Sequence, residues 1–303
     1  MKVLCLHGRG TSGAIFKSQT SSIRSRLTDL NLDFDFLDGP YPSPPAPGID
    51  LFYPPPYYSY YAETPQDTTI DTITTTHAWL ADVIAERGPY DVVLTFSQGT
   101  AVAAATLLLH ALEVERQRSK TRHSDAVEDG GGIPPPPPFK SAIFICGGAP
   151  LPLLEYIGYT VSPHTKARDL ASRSALASMA DSSAILSLGS SRWTASASAI
   201  ANSNGLGPGN NTSPYTLSAL QLSFNKEDEV RGEISGHTKI GIPTVHIYGE
   251  RDPRYIAGVQ LSEVCEKASR KVYNHGGGHE IPRFEAVRGA IADLVRWAVR
   301  AAS

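Results

Sequence analysis

One stretch constrains this chain more than any other: Asp91-Val92-Val93-Leu94-Thr95-Phe96-Ser97-Gln98-Gly99-Thr100, followed by the run Ala101 to Leu112. Val92, Val93, Leu94 and Phe96 form an apolar run of the length that suits a buried strand. Ala103, Ala104, Ala105, Leu107, Leu108 and Leu109 are good helix formers. Ser97 stands between the two with a glycine two residues on, which is most of the pattern G-x-S-x-G. In that pattern a sharp strand-to-helix turn lifts a serine hydroxyl above the sheet. The helix N-terminus behind it offers free N–H groups to an oxyanion. Thr95 departs from the pattern, standing where the first glycine is expected. Strand and helix backbones pass close there, so a β-branched residue needs extra room. The competing reading is a plain strand–turn–helix with an incidental serine.

The 303 residues can hold one large α/β domain or two small ones, with a sizeable core. A hydrophobic content of 41% and a charged content of 19% are those of an ordinary soluble chain. The net charge of -3 and pI near 6.3 give no reason to expect nucleic acid or a membrane as partner. Lys2 precedes only a brief apolar run, broken at His7-Gly8-Arg9-Gly10 and too short for a signal peptide. Cys5, Cys146 and Cys265 lie in or near apolar segments without metal-type spacing. They read as reduced, buried thiols of a cytoplasmic protein.

Lys2 to Leu6 reads as a first strand running into a glycine-rich loop, His7 to Gly13. Such a loop suits a second oxyanion N–H, because glycine lets backbone approach a substrate oxygen. A rival reading takes Gly8, Gly10 and Gly13 as G-x-G-x-x-G, with Asp38 as the ribose carboxylate of a dinucleotide site. Ser18 to Leu30 has helical spacing, and Phe34 to Asp38 looks like a second strand. Gly39 to Pro65 is dense in Pro and Tyr and reads as an irregular aromatic wall over the carboxyl edge of the sheet, or as a cover for the core. Thr68 to Glu86 is spaced as an amphipathic helix.

Residues 115–138 are charged, then glycine-rich, then proline-rich, and are expected to be a disordered insertion. Lys140 to Cys146 returns to strand, whereas 151–236 is expected to be an irregular cap or loop region. Pro243 to Tyr248 and Arg270 to His275 complete the strands, with helical spacing at Val259 to Ala268 and Phe284 to Val299. The alternation predicts a single α/β domain over 1–303, with a doubly wound, mostly parallel sheet and a small cap or insertion.

Ser97, Asp252 and His279 all fall at ends of predicted strands, in the order Ser, Asp, His. The chemistry they suit needs a hydroxyl, a neutral imidazole to accept its proton, and a carboxylate to fix the imidazole's tautomer. Glu250 competes with Asp252 for the carboxylate, and His7 and His275 with His279 for the base. His275 is expected to pack and His7 to shape the oxyanion loop. No metal is expected: three glycines separate His275 from His279, so no helix aligns them, and no third ligand is evident.

The motifs VLCLHGRGTSG, LTFSQGTA, HIYGERDP and HGGGHEIPR together resemble the fungal serine hydrolase family, α/β hydrolases whose members include thioesterases of polyketide gene clusters. The resemblance spans nearly the whole chain outside its two low-complexity tracts. It implies an α/β-hydrolase fold, with Ser97 as nucleophile, Asp252 as acid and His279 as base. It also implies oxyanion donors at the backbone N–H groups of Gln98 and Arg9, the latter beside Gly8. Phe52-Tyr53 and Tyr57-Tyr58 resemble the biosynthetic branch, whose substrates are long or aromatic acyl groups. The expectation is a cytoplasmic, cofactor-free hydrolase of a bulky acyl ester or thioester, a polyketide on an acyl carrier protein being one candidate. The alternatives are an acyltransferase or cyclase with the same three residues, and a non-catalytic acyl-binding module.

Overall fold

The computed structural model describes residues 1–62, 68–123, 135–178 and 227–303. In chain order its strands are β1 (Lys2–Leu6), β2 (Asp33–Leu37), β3 (Tyr41–Pro42), β4 (Tyr58–Ser59), β5 (Val92–Phe96), β6 (Ser141–Ile145), β7 (Thr160–Val161), β8 (Ile234–Ser235), β9 (Thr244–Tyr248) and β10 (Arg270–Asn274). The helices are α1 (Gly13–Gln19), α2 (Ser21–Arg24), α3 (Ile70–Arg87), α4 (Gln98–His123), α5 (Leu151–Tyr156), α6 (Pro163–Ser178), α7 (Glu227–Gly232), α8 (Tyr255–Glu263) and α9 (Glu285–Ala302).

Six strands pair in parallel in the order β10-β9-β6-β5-β1-β2. Strand periodicity divides β1, β5 and β6 between two cores. Leu4, Leu6, Val93 and Phe144 pack with Ile73, Leu80 and Leu108 from α3 and α4. Val3, Cys5, Val92, Leu94 and Ile145 pack on the other face with Phe16, Ile23, Ile291 and Val295 from α1, α2 and α9. The doubly wound α/β architecture expected from the alternation is therefore present. The α/β-hydrolase reading places the reactive groups at the carboxyl edge of this sheet. Cys5, Cys146 and Cys265 are buried free thiols. No helix among the described residues is long and apolar enough to cross a membrane.

Several local expectations need correction. The helix expected over Ser18 to Leu30 begins at Gly13, capped by Ser12 Oγ, which accepts from the Ile15 N–H at 3.2 Å. It breaks at Thr20, whose buried hydroxyl donates back to Phe16 O at 2.7 Å and leads into the short α2. The first part of the disordered insertion expected over 115–138 is helical instead, because α4 continues to His123 with Gln117 bonded to Glu113 one turn back at 3.0 Å. Charge there marks a solvated helix. Residues 124–134 lie outside the described part, and Pro135 beyond them accepts from His110 Nε2 at 2.9 Å.

The region 151–236, expected to be irregular, contains α5, α6 and α7, and its β7 pairs antiparallel with β8. Residues 179–226 of it are not among those described. The Pro/Tyr tract, expected to lack regular structure, forms the short antiparallel ladder β3–β4. The helix expected at Val259 to Ala268 begins and ends earlier, as α8.

Candidate active site

Ser97 directly follows the last residue of β5 and precedes the first residue of α4. Its φ is +51°, left-handed backbone that a non-glycine residue adopts only under constraint. The constraint is visible in Gly99, where an added Cβ would lie 2.5 Å from Leu6 O and 2.8 Å from His7 O. Helix α4 thus starts hard against the end of β1, which only glycine permits at that position.

Asp252 and His279 reach Ser97 from the loops after β9 and β10. These loops are stitched together: the Arg251 N–H donates to Gly277 O at 2.9 Å, and Arg251 Nε donates to Gly276 O at 2.9 Å. Ser97 Oγ lies 2.9 Å from His279 Nε2, and His279 Nδ1 lies 2.8 Å from Asp252 Oδ2. An ionised carboxylate only accepts, so Nδ1 carries the proton and Nε2 is free to accept from the serine. The second carboxylate oxygen, Oδ1, accepts from the Arg254 N–H at 2.7 Å. Burial works to raise the Asp252 carboxyl, but the imidazole beside it and these bonds more than reverse this, holding it below the usual carboxylate range. The geometry can draw a proton from Ser97 Oγ and stabilise the imidazolium that results.

The profile of the FSH1 serine hydrolases matches residues 1–291. The chain belongs to the FSH1 serine hydrolase family. It is accordingly a serine hydrolase with the α/β-hydrolase architecture described above. Esterase FPY3 of Fusarium mangiferae is 28% identical to this hydrolase over 93% of this chain and 89% of its own length. Esterase alnB of Emericella nidulans is 27% identical over 99% and 96% respectively. The crystal structure of esterase PE8 aligns over 98% of this chain and 92% of its own at 15% identity with a TM-score of 0.46, a distant likeness.

The loop after β1 carries Arg9, the second oxyanion donor expected from the sequence. Gly8 lies against the elbow, since a Cβ there would come within 3.4 Å of Ser97 Cβ. Its carbonyl accepts from His7 Nδ1 and from Thr11 Oγ1, each at 2.7 Å. The His7 tautomer is fixed because Nε2 accepts from the Gly39 N–H at 3.0 Å. Burial lowers the His7 pKa to about 4, so the ring is neutral near pH 7. In the planar trans peptide joining Gly8 to Arg9, pinning the carbonyl also fixes the opposed Arg9 N–H. His7 therefore sits where the sequence puts it, shaping this loop. Gln98 opens α4, so its own N–H has no carbonyl one turn back to meet. Its side chain ties the elbow to the Pro/Tyr tract: Oε1 accepts from the Tyr60 N–H at 3.0 Å and Nε2 donates to Ser59 Oγ at 3.1 Å.

The dinucleotide reading does not fit. Backbone of Pro44 to Ala46 fills the space beside Gly10, with Ala46 N only 2.2 Å from where a Cβ would stand. Asp38 is engaged with the Gly13 N–H at 2.8 Å. Tyr58 flanks the same loop through its backbone, accepting from the Gly10 N–H at 2.8 Å and donating to Thr11 O at 2.7 Å. The Tyr57 hydroxyl donates to Tyr53 O at 2.7 Å. Glu250 is exposed, whereas Asp252 is buried. His275, expected within the last strand, lies one residue past β10 and is half-buried, its N–H donating to Tyr248 O at 2.9 Å and burial lowering its pKa to about 4.

Among the described residues, one group brings potential metal ligands together: Cys146, Asp252 and His279, with ligand atoms within 4.8 Å of one another. Asp252 and His279 are bonded to each other, and burial pushes the Cys146 thiol up, which opposes the thiolate a metal would need. Sequence reasoning missed two features here. The Cys146 thiol supports the loop that carries His279, donating to Glu280 O at 3.5 Å. The Arg254 guanidinium is buried beside the turn of Asp252. An arginine directly after Asp-Pro was the available signal for the second.

Proposed function

We propose that the hydrolase cleaves esters or thioesters of bulky acyl groups through an acyl-enzyme on Ser97. The observation that carries this reading is the continuous Ser97–His279–Asp252 hydrogen-bond chain at a strained strand-to-helix turn. His279 Nε2 takes the hydroxyl proton as Ser97 Oγ attacks the acyl carbonyl, and returns it to the departing alcohol or thiol. The backbone N–H groups of Gln98 and Arg9 receive the oxyanion, the second aimed by the clamp on the Gly8 carbonyl. Water then attacks the acyl-enzyme by the same proton route and frees the acid.

The esterase names of the relatives support ester cleavage as the reaction class. The acyl side of the substrate is assigned to the Pro/Tyr tract, whose Tyr58 backbone flanks the loop after β1. A carrier-bound acyl thioester is the candidate that a tract so rich in tyrosine suits. The test is incubation with a panel of acyl esters and acyl thioesters, followed by mass spectrometry of the Ser97 peptide and of the released product. A bulky acyl adduct on Ser97 and a free acid are expected. A Ser97→Ala chain that keeps most of its turnover or its fluorophosphonate labelling would overturn the nucleophile assignment. A product lacking a free acid would identify a transferase or cyclase.

A further inference from the structure

We propose that Arg254 is a positioning residue for Asp252, anchored by helix α6 through Asp169 and Ser172. The proposal rests on Asp252 being the acid of the reaction above. Asp252 lies in a turn beyond β9 that belongs to no strand, so the sheet alone does not fix its carboxylate. His279 takes one carboxylate oxygen, and the other is held by the Arg254 backbone N–H at 2.7 Å. The aim of the carboxylate thus depends on where the Arg254 backbone is kept.

That backbone is kept in place by its own side chain. The residue is only 8% exposed. Nη1 donates to Asp169 Oδ1 at 2.5 Å, to Asp169 O at 3.3 Å and to Ser172 Oγ at 2.9 Å, all on α6. Gly148, just past β6, leaves room for the guanidinium, since a Cβ there would come 2.6 Å from Nη2. Asp169 also accepts from Arg173 Nε at 2.7 Å, so one carboxylate serves two guanidinium groups. Burial works to raise the Asp169 carboxyl, yet Arg254 and Arg173 more than reverse this and keep it ionised. A buried guanidinium that loses such a partner must move or draw in water, because an unpaired buried charge is strongly unfavourable. The turn of Asp252 is therefore pinned from two sides. The β10 loop holds Arg251, and a helix outside the sheet holds Arg254.

The test is a double-mutant cycle on the full chain, with kcat and KM read on a p-nitrophenyl ester and folding checked by circular dichroism. Arg254→Met is expected to lower kcat about ten- to a hundredfold with KM within about threefold, and Arg254→Lys to recover part of the loss. In an Asp252→Asn chain the same Arg254→Met change should cost less than about twofold, because the group it positions is already disabled. Equal losses in both backgrounds would overturn the proposal, since Arg254 would then act on something other than the acid. Asp169→Asn, which conserves shape, carries the same cycle should Arg254→Met not fold. Full activity in Asp252→Asn alone would remove the acid assignment, and the coupling with it, and that variant identifies this outcome by itself.

Discussion

The hydroxyl of Thr95 lies 2.8 Å from the hydroxyl of Thr100, across the turn that carries Ser97. Thr95 donates to Ile143 O at 3.0 Å on the neighbouring strand, which leaves its lone pair to accept from Thr100. Thr100 in turn packs against Gly147, where a Cβ would come 2.2 Å from its own. Gly147, in the loop after β6, thus makes room for the Thr100 side chain that Thr95 bonds. Thr95→Val keeps the bulk and removes both bonds in a fully buried setting, so stability should fall by about 1–3 kcal/mol. Thr95→Gly should cost at least as much, with added backbone freedom in the unfolded chain. Urea unfolding measures both, and a Gly variant more stable than the parent would show that Thr95 only crowds the turn.

Thr11→Val removes one of the two donors on the Gly8 carbonyl while leaving Ser97, Asp252 and His279 untouched. If that clamp aims an oxyanion donor, kcat should fall by about tenfold or more with a smaller change in KM. Fluorophosphonate labelling should slow in proportion. Unchanged kcat with a lowered melting temperature would reduce Thr11 to a structural role.

Asp252→Asn should cut turnover by up to about 10⁴-fold near neutral pH, because an amide neither stabilises imidazolium nor fixes the productive tautomer. Glu250→Gln, changing an exposed side chain, should leave turnover within about twofold of the parent. Steady-state kinetics on the two purified variants decides between the carboxylates, and the reverse pattern would move the acid to Glu250.

Burial holds His7 at about 4 and His246 at about 3, against 6.5 for an unperturbed histidine. As pH falls from about 6.5 to 4 the unfolded chain binds protons that the folded chain refuses. Each group then removes up to about 1.4 kcal/mol of stability per pH unit, and nothing above about pH 7. His246→Phe should therefore flatten the acid-side slope by about one such increment. Unfolding free energies at pH 7, 6 and 5 test this, and identical slopes for parent and variant would contradict it.

Much of the sheet was legible because its strands are short apolar runs closed by glycine or proline, as at Phe96-Ser97-Gln98-Gly99 and Tyr248-Gly249. The candidate residues Ser97, Asp252 and His279 were legible because each follows the end of such a strand within a few residues. The break at Thr20 was not, because a threonine that bonds back one turn looks identical in sequence to one that does not. The tail of α4 was misread because its charges and amides are equally compatible with a solvated helix and with no structure. The Arg254–Asp169 pair joins residues 85 apart, and no local pattern signals a contact at that range.

Ser97 and His279 stand 182 residues apart in the chain, with β6 and β9 lying between β5 and β10 in the sheet. On the proposed triad, a chain holding only β1, β2, β5 and β6 would have the elbow without its base, because His279 follows β10. With His279 as the base, reactivity would require the edge strand β10 to be docked. Covalent labelling during refolding would then report the docking of β10, separately from the formation of the elbow.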